Sequence, residues 1–227
     1  ALDDISPILK GLGLTAATDS GASATDSITK VSGAMLRVSL DVTSVNGGAA
    51  VIGDTLSITQ DGVSLTDHVI VAGNIKDGYV DIDVTLNSAI PVFTANITDA
   101  ANNVSTALSH TVTFDTVAPT VALTSDLLTS SSALIISGTA EADATVSVVV
   151  GGATYIVIAQ SGVWSIDLAS APINSGVLSL DLNGSNSVDI TATDAAGNTS
   201  SQISSNLVID ATAPAAVSLA GIAFAGS

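Results

Sequence analysis

The chain has 227 residues, no cysteine, and 21 acidic against four basic residues, a net charge of −17. Lys10, Lys30, Arg37 and Lys76 cannot neutralise a row of phosphates, which excludes nucleic acid and anionic lipid as partners, and the missing thiols exclude disulfides, zinc–thiolate sites and a cysteine nucleophile. A hydrophobic content of 47% and a mean hydropathy of +0.60 describe a chain with a core, not an acidic tail, yet no apolar run approaches the ~18 residues of a membrane span.

The length suits two small domains of about 100 residues each. The acids are lopsided: one Glu, Glu141, against 20 Asp. Asp places its oxygens close to the backbone, which serves turns and compact cation sites alike.

The first signal in chain order is Asp3-Asp-Ile-Ser-Pro7, which returns as Asp115-Thr-Val-Ala-Pro119 and Asp210-Ala-Thr-Ala-Pro214. Sixteen residues before the second and third stand Asp99-Ala-Ala-Asn-Asn103 and Asp194-Ala-Ala-Gly-Asn198. Two motifs at one fixed separation mark a structural repeat. The expected boundaries are residues 1–114, residues 115–209, and 210–227 as the linker and first strand of a further repeat. The pattern starts and stops mid-repeat and shows no charged, apolar leader, so a segment of a longer protein is expected.

Within the first module Leu36–Val42 and Val80–Leu86 alternate apolar and polar residues; in the second, Ala144–Val150 and Val188–Thr193 do so. Period two with one face buried is the mark of an antiparallel sheet. Turn signals separate these runs at Asn46-Gly-Gly48, Gln60-Asp-Gly62, Lys76-Asp-Gly78, Gly151-Gly152, Ser161-Gly162 and Asn183-Gly184. Strands in module one are predicted near residues 14, 38, 57, 68, 82, 95 and 110, with no helix. About seven short strands per module predict all-β, immunoglobulin-like Greek-key sandwiches in tandem. An odd number of passes sets the termini at opposite ends, so an end-to-end arrangement is expected. Trp164 alternates with Val163 and Ile166 and is predicted to be core.

Asp99 and Asp194 precede the last strand of their modules, whereas Asp115 and Asp210 follow it. A strand of eight to ten residues spans roughly 30 Å, too far for Asp99 and Asp115 to share an ion. Asp115 can instead meet Asp194, with Asp19 or Asp26 of the loop Asp19–Asp26 and with Asn198 nearby. Converging carboxylates repel without a cation, and irregular oxygen cages suit calcium (Ca2+) better than magnesium. The same residues also read as a strand end and as a tight turn capped by its own Asp.

These motifs, together with the loop Asp19-x-Gly-x-x-x-x-Asp26-x-Ile-Thr29 and the stretch Gly138-Thr-Ala-Glu141, resemble the bacterial Ig-like repeats of giant surface adhesins. The resemblance implies type I secretion, an extracellular place on the bacterial surface, and a part in biofilm formation or host attachment. It also implies calcium between modules, carried onto Asp3, Asp19, Asp26, Asp99, Asp115, Asp194, Asn198 and Asp210. The partners it implies are neighbouring repeats of the same chain, with a host or abiotic surface reached through other regions of the parent protein, and a monomeric segment. Two positions depart from the family: Asn102 stands where its turn has Gly, and module two offers only Asp126 where its first loop holds a pair.

Enzymatic chemistry finds no support. His68 and His110 lie in separate strand patterns, no Gly-x-Ser-x-Gly elbow or phosphate loop occurs, and Asp81 with Asp83 reads as a solvated strand face. The reading is a calcium-stiffened spacer. Its alternative is a ligand-binding module recognising glycan or another surface, for which the extra length of module one near 61–78 is the place to look.

Overall fold

The computed structural model describes residues 4–44, 48–130 and 134–215. Asp3, the Asn46 end of one turn signal and the expected strand beyond residue 215 lie outside them. The protein is nearly all β. No helix among the described residues is long and apolar enough to cross a membrane. The described chain forms two compact units, one of residues up to Pro119 together with Thr193–Ser200, the other of Thr120–Ala192 and residues from Ser201 onward.

The first unit contains β1 (Leu9–Leu14), β2 (Ile28–Thr29), β3 (Gly33–Leu40), β4 (Thr55–Gln60), β5 (Val63–Ser64), β6 (His68–Val69), α1 (Ala72–Asp77), β7 (Tyr79–Thr85), β8 (Val92–Thr98), β9 (Leu108–Thr111) and β10 (Thr113–Phe114). One antiparallel sheet runs β1-β3-β7; the facing sheet runs β5-β4-β8-β9, with β6 also on β4. Alternation on each strand explains why they close on one another. Leu36, Val38 and Val80 point inward from the first sheet and Leu56, Ile58, Phe93, Ala95 and Ile97 from the second, all at most 1% exposed.

All seven predicted centres of the first unit lie on strands: β1, β3, β4, β6, β7, β8 and β9. The strands that escaped, β2, β5 and β10, are two residues long, too short to show a period. The chain around the centre predicted near residue 110 divides into two strands. β9 pairs antiparallel with β8, and β10 then pairs parallel with β2. The expectation of no helix fails at α1, whose six residues have no buried side chain and hence no apolar stripe to read. It is held at its ends instead: Asn74 Oδ1 accepts the Val71 N–H at 3.0 Å, and Gly78 closes it in the left-handed region at φ 77°.

The second unit contains β11 (Val121–Leu123), β12 (Leu128–Thr129), β13 (Ile135–Ala140), β14 (Thr145–Val150), β15 (Ala153–Ile158), β16 (Val163–Asp167), β17 (Ser175–Gly176), β18 (Ser185–Thr193) and β19 (Ile203–Ile209). A β11-β13-β16 sheet faces a β12-β19-β18-β14-β15-β17 sheet over one core. Two-residue hairpin loops at Gly151-Gly152 and Ser161-Gly162 have positive φ at both positions, the geometry that matches the twist of the flanking strands.

Trp164 is 1% exposed, as predicted, and its indole N–H donates to the Thr139 carbonyl at 3.1 Å. It lies directly on Gly138, its cross-strand partner, where a Cβ would overlap both the indole ring and the Ala122 carbonyl oxygen. Gly138→Ala must therefore displace the indole or part β11 from β13. A loss of at least about 2 kcal/mol is expected, measured as the shift in the second unit's urea transition followed by Trp164 fluorescence.

Candidate metal centre

The repeated Asp-turns fold alike. Asp99 N–H donates to the Asn103 carbonyl and Asp194 N–H to the Asn198 carbonyl, at 3.1 and 3.0 Å. In each, one carboxylate oxygen accepts the Asn main-chain N–H, at 2.9 Å for Asn103 and 2.8 Å for Asn198. The other oxygen accepts the Asn side-chain amide, at 2.8 and 2.9 Å. Both carboxylates thus cap their own turns. The fourth residue is left-handed in both, Asn102 at φ 68° and Gly197 at φ 88°. Asn tolerates that region, so Asn102 is no defect.

Gly197 cannot be replaced so freely. A Cβ there would stand 3.0 Å from Gly21 Cα. Gly21, at φ 104°, is packed so that its own Cβ would overlap the Ala195 carbonyl oxygen. The first unit therefore holds turn 193–200 against loop 19–30 by backbone-to-backbone contact. Ala22 N–H donates to the Ala195 carbonyl at 3.1 Å, and Ser20 Oγ to the Ala196 carbonyl at 3.0 Å. The Lys30 ammonium donates to the Gly197 carbonyl.

Asp115 joins the same network. Parallel pairing of β10 with β2 carries its N–H to the Thr29 carbonyl at 2.9 Å. Its own carbonyl accepts from Asn198 Nδ2 at 2.9 Å, the nitrogen that also donates to Asp194 Oδ2. Asp115 Oδ1 accepts the Val117 N–H at 2.8 Å.

Asp19 is the anomaly. It is 5% exposed, its Oδ2 accepts the Ser27 N–H at 3.0 Å, and its Oδ1 is buried with no hydrogen-bond partner. A buried carboxylate oxygen without a donor or cation is costly, on the order of several kcal/mol. Neighbouring Ser20 and Thr29 face other work, since their hydroxyls bond one another and the Thr18 carbonyl. Exposed Asp26 lies in the same loop and caps it by accepting the Ile28 N–H at 3.1 Å.

The structure thus brings Asp19, Asp26, Asp115, Asp194 and Asn198 into one hydrogen-bonded neighbourhood. Asp99 and Asp210 stand apart from it. Asp210 is exposed, accepts the Thr212 N–H at 3.0 Å and donates to the Thr129 carbonyl at 2.9 Å, as Asp115 does to Thr29. Loop equivalence follows from one more pair of bonds: Met35 N–H donates to Thr18 Oγ1 and Ser137 N–H to Ser125 Oγ. Asp126 therefore corresponds to Asp19, Asp26 has no counterpart, and Asp126 is exposed where Asp19 is buried.

Among the described residues no three His, Asp or Glu side chains form a group able to hold a metal. The donors on offer are one orphaned carboxylate oxygen, tethered carboxylates and main-chain carbonyls. That oxygen-only set fits a hard cation such as calcium and not a transition metal.

His110 lies beside this loop, with Nε2 2.8 Å from Ser27 Oγ. Burial lowers its pKa below the usual 6.5, partly offset by the charge of Asp19. The Ser–His–Asp grouping is no catalytic triad, because Asp19 binds the Ser27 main chain and not the imidazole.

Sequence reasoning missed Asp54. It is 2% exposed and accepts the Val51 N–H at 2.8 Å. Burial raises its pKa above 3.8, and the charge of Asp99 adds to the shift. Asp99 itself is held below the usual carboxylate range, first by the Asn103 side-chain amide. Only its place between two apolar stretches, Gly53-Asp54-Thr55, could have marked Asp54, and that reads as an ordinary turn.

No protein-family model matches the chain, and a search of curated proteins finds no relative. Solved structures give distant likenesses. Fibronectin(III)-like modules of Clostridium thermocellum CbhA overlap at a TM-score of 0.46 and 11% identity, over 88% of this chain and 94% of that one. A tetra-tandem repeat from the extending region of a large adhesion protein gives 0.35 and 22%, over 88% of this chain and 49% of that one. The BSP domain of a biofilm-associated protein gives 0.28 and 18%, over 82% and 29%. The sandwich fold itself rests on the strand pairing and the two cores.

A raised folded pKa means that the folded state holds the Asp54 proton more tightly than the unfolded chain. Its cost is absent below pH 3.8, appears as pH rises through the folded value, and is full above it. Asp54→Asn is expected to raise the melting temperature at pH 7 and to lose that advantage near pH 3, as thermal scans across pH will show.

Proposed function

We propose that this chain is a calcium-rigidified repeat segment of a large bacterial cell-surface adhesin, serving as an extended spacer in adhesion and biofilm formation. The observation that carries the calcium reading is Asp19 Oδ1, buried and unpartnered in the loop that holds turn 193–200. Calcium would bind at Asp19 Oδ1 and draw Asp26, Asp115 and Asp194 toward it, while Asn198 orients Asp194 and the Asp115 main chain. Bound, it supplies the charge that the buried oxygen lacks.

The adhesin assignment is supported by the Asp-x-x-x-Pro and Asp-Ala-Ala-Gly-Asn repeats and by the net charge of −17. An acidic, cysteine-free repeat needs a stiffener other than disulfides, and an extracellular site with millimolar calcium supplies one. Linkage to an ion at a hundredfold excess over Kd stabilises the folded state by about 2.7 kcal/mol.

Melting and small-angle scattering with calcium and with chelator test this. Calcium is expected to raise the wild-type melting temperature by several degrees and extend the particle; Asp19→Asn is expected to abolish the response. In chelator Asp19→Asn should melt above the wild type, because it removes an uncompensated buried charge. Identical wild-type curves with and without calcium would overturn the proposal.

A further inference from the structure

We infer that the Asn183-Gly184 turn of the second unit is a self-modifying site, where the fold activates the Asn183 amide for attack by the Gly184 main-chain nitrogen and so converts Asn183 to an acid. Water is the co-reactant.

This turn signal folds into the connection that enters β18, and it is held from both sides. Asn186, 7% exposed, accepts the Asp181 N–H on Oδ1 at 2.8 Å and donates from Nδ2 to the Asp181 carbonyl at 3.0 Å. Asp181 Oδ1 in turn accepts the Asn183 N–H at 3.0 Å, and the Gly184 carbonyl accepts the Ile209 N–H at 3.0 Å. Electrophile and nucleophile therefore sit on a fixed backbone.

The exposed Asn183 side chain is polarised in one direction. Its Oδ1 accepts two bonds, from the Ala211 N–H at 3.1 Å and from the Thr212 hydroxyl at 2.9 Å, while its Nδ2 has no partner among the described residues. Two donors on that oxygen draw electrons from Cγ and stand where negative charge develops when a nucleophile adds, the arrangement of an oxyanion hole. The nitrogen that would add is open. Gly184 N–H donates no hydrogen bond among the described residues, and no Cβ hinders its approach. A Cβ at that position would overlap the Asp181 carboxylate.

In the reaction Gly184 N bonds to Asn183 Cγ and gives its proton to hydroxide. The Cγ–Nδ2 bond then breaks and the nitrogen leaves as ammonia. Water opens the cyclic imide at either carbonyl, leaving aspartate or isoaspartate and adding a negative charge to a turn that already carries Asp181. The first unit keeps the frame without the reactive pair. Phe114 N–H bonds the Ala89 carbonyl as Ile209 N–H bonds that of Gly184, so Ser88-Ala89 stands where the second unit has Asn183-Gly184. Asn183 also fastens residues 211–212, directly after Asp210, so its conversion acts on the stretch that leaves β19.

Incubation of the whole chain at mildly alkaline pH, with peptide mapping by mass spectrometry, tests the site. Asn183 is expected to become a mixture of aspartate and isoaspartate, faster as pH rises. Thr212→Val, which removes one exposed hydroxyl donor, should slow the conversion about tenfold in the folded chain and leave its rate in concentrated urea unchanged. Thr212→Ser, which keeps the hydroxyl, should retain the wild-type rate. The inference is refuted by no conversion of Asn183 in the folded chain, by equal or faster conversion in folded Thr212→Val, or by the same slowing of that variant in urea.

Discussion

The candidate site of the first unit turns on the uncompensated charge of Asp19. Asp19 has one oxygen on the Ser27 N–H and the other buried against nothing. Buried carboxylates are tolerated when donors or cations surround them, and here the surrounding hydroxyls are committed elsewhere. What the loop offers instead is a close fit to turn 193–200, through Gly21, Gly197 and three hydrogen bonds to its carbonyls. One of the chain's four basic residues, Lys30, is spent on that contact. Steric fit and hydrogen bonding thus place the acidic groups, and a cation is the natural complement to the deficit they create.

The two units show how a repeat can keep its frame and alter its sites. Asp115 and Asp210 make the same main-chain bond, to Thr29 and Thr129. The loops that precede those threonines differ. Between Asp19 and Thr29 the first unit keeps a long loop that buries one acid, whereas Asp126 is exposed three residues before Thr129. Burial, not the presence of an Asp, separates a strong candidate cation site from a weak one.

Much of this was legible from residues alone because a two-residue period reports directly on a half-buried strand. The runs Leu36–Val42 and Val80–Leu86, the Gly-containing hairpin loops and the buried Trp164 all follow from that rule. The Asp-turns were legible too, since Asp and Asn four positions apart can cap one turn mutually. Two-residue strands, and a six-residue helix with no buried side chain, carry no period and so stayed invisible.

By itself, the sequence determined a cysteine-free, acidic, all-β protein and the approximate position of every long strand of the first unit, because alternation and turn chemistry are local. It also named the acids that repeat. Only the tertiary structure decided which of them meet, that Asp19 has a buried oxygen left unpaired, and that Asp54 is buried beside the Asp99 turn. Burial and pairing are properties of residues far apart in the chain, and no local pattern encodes how much water each one keeps.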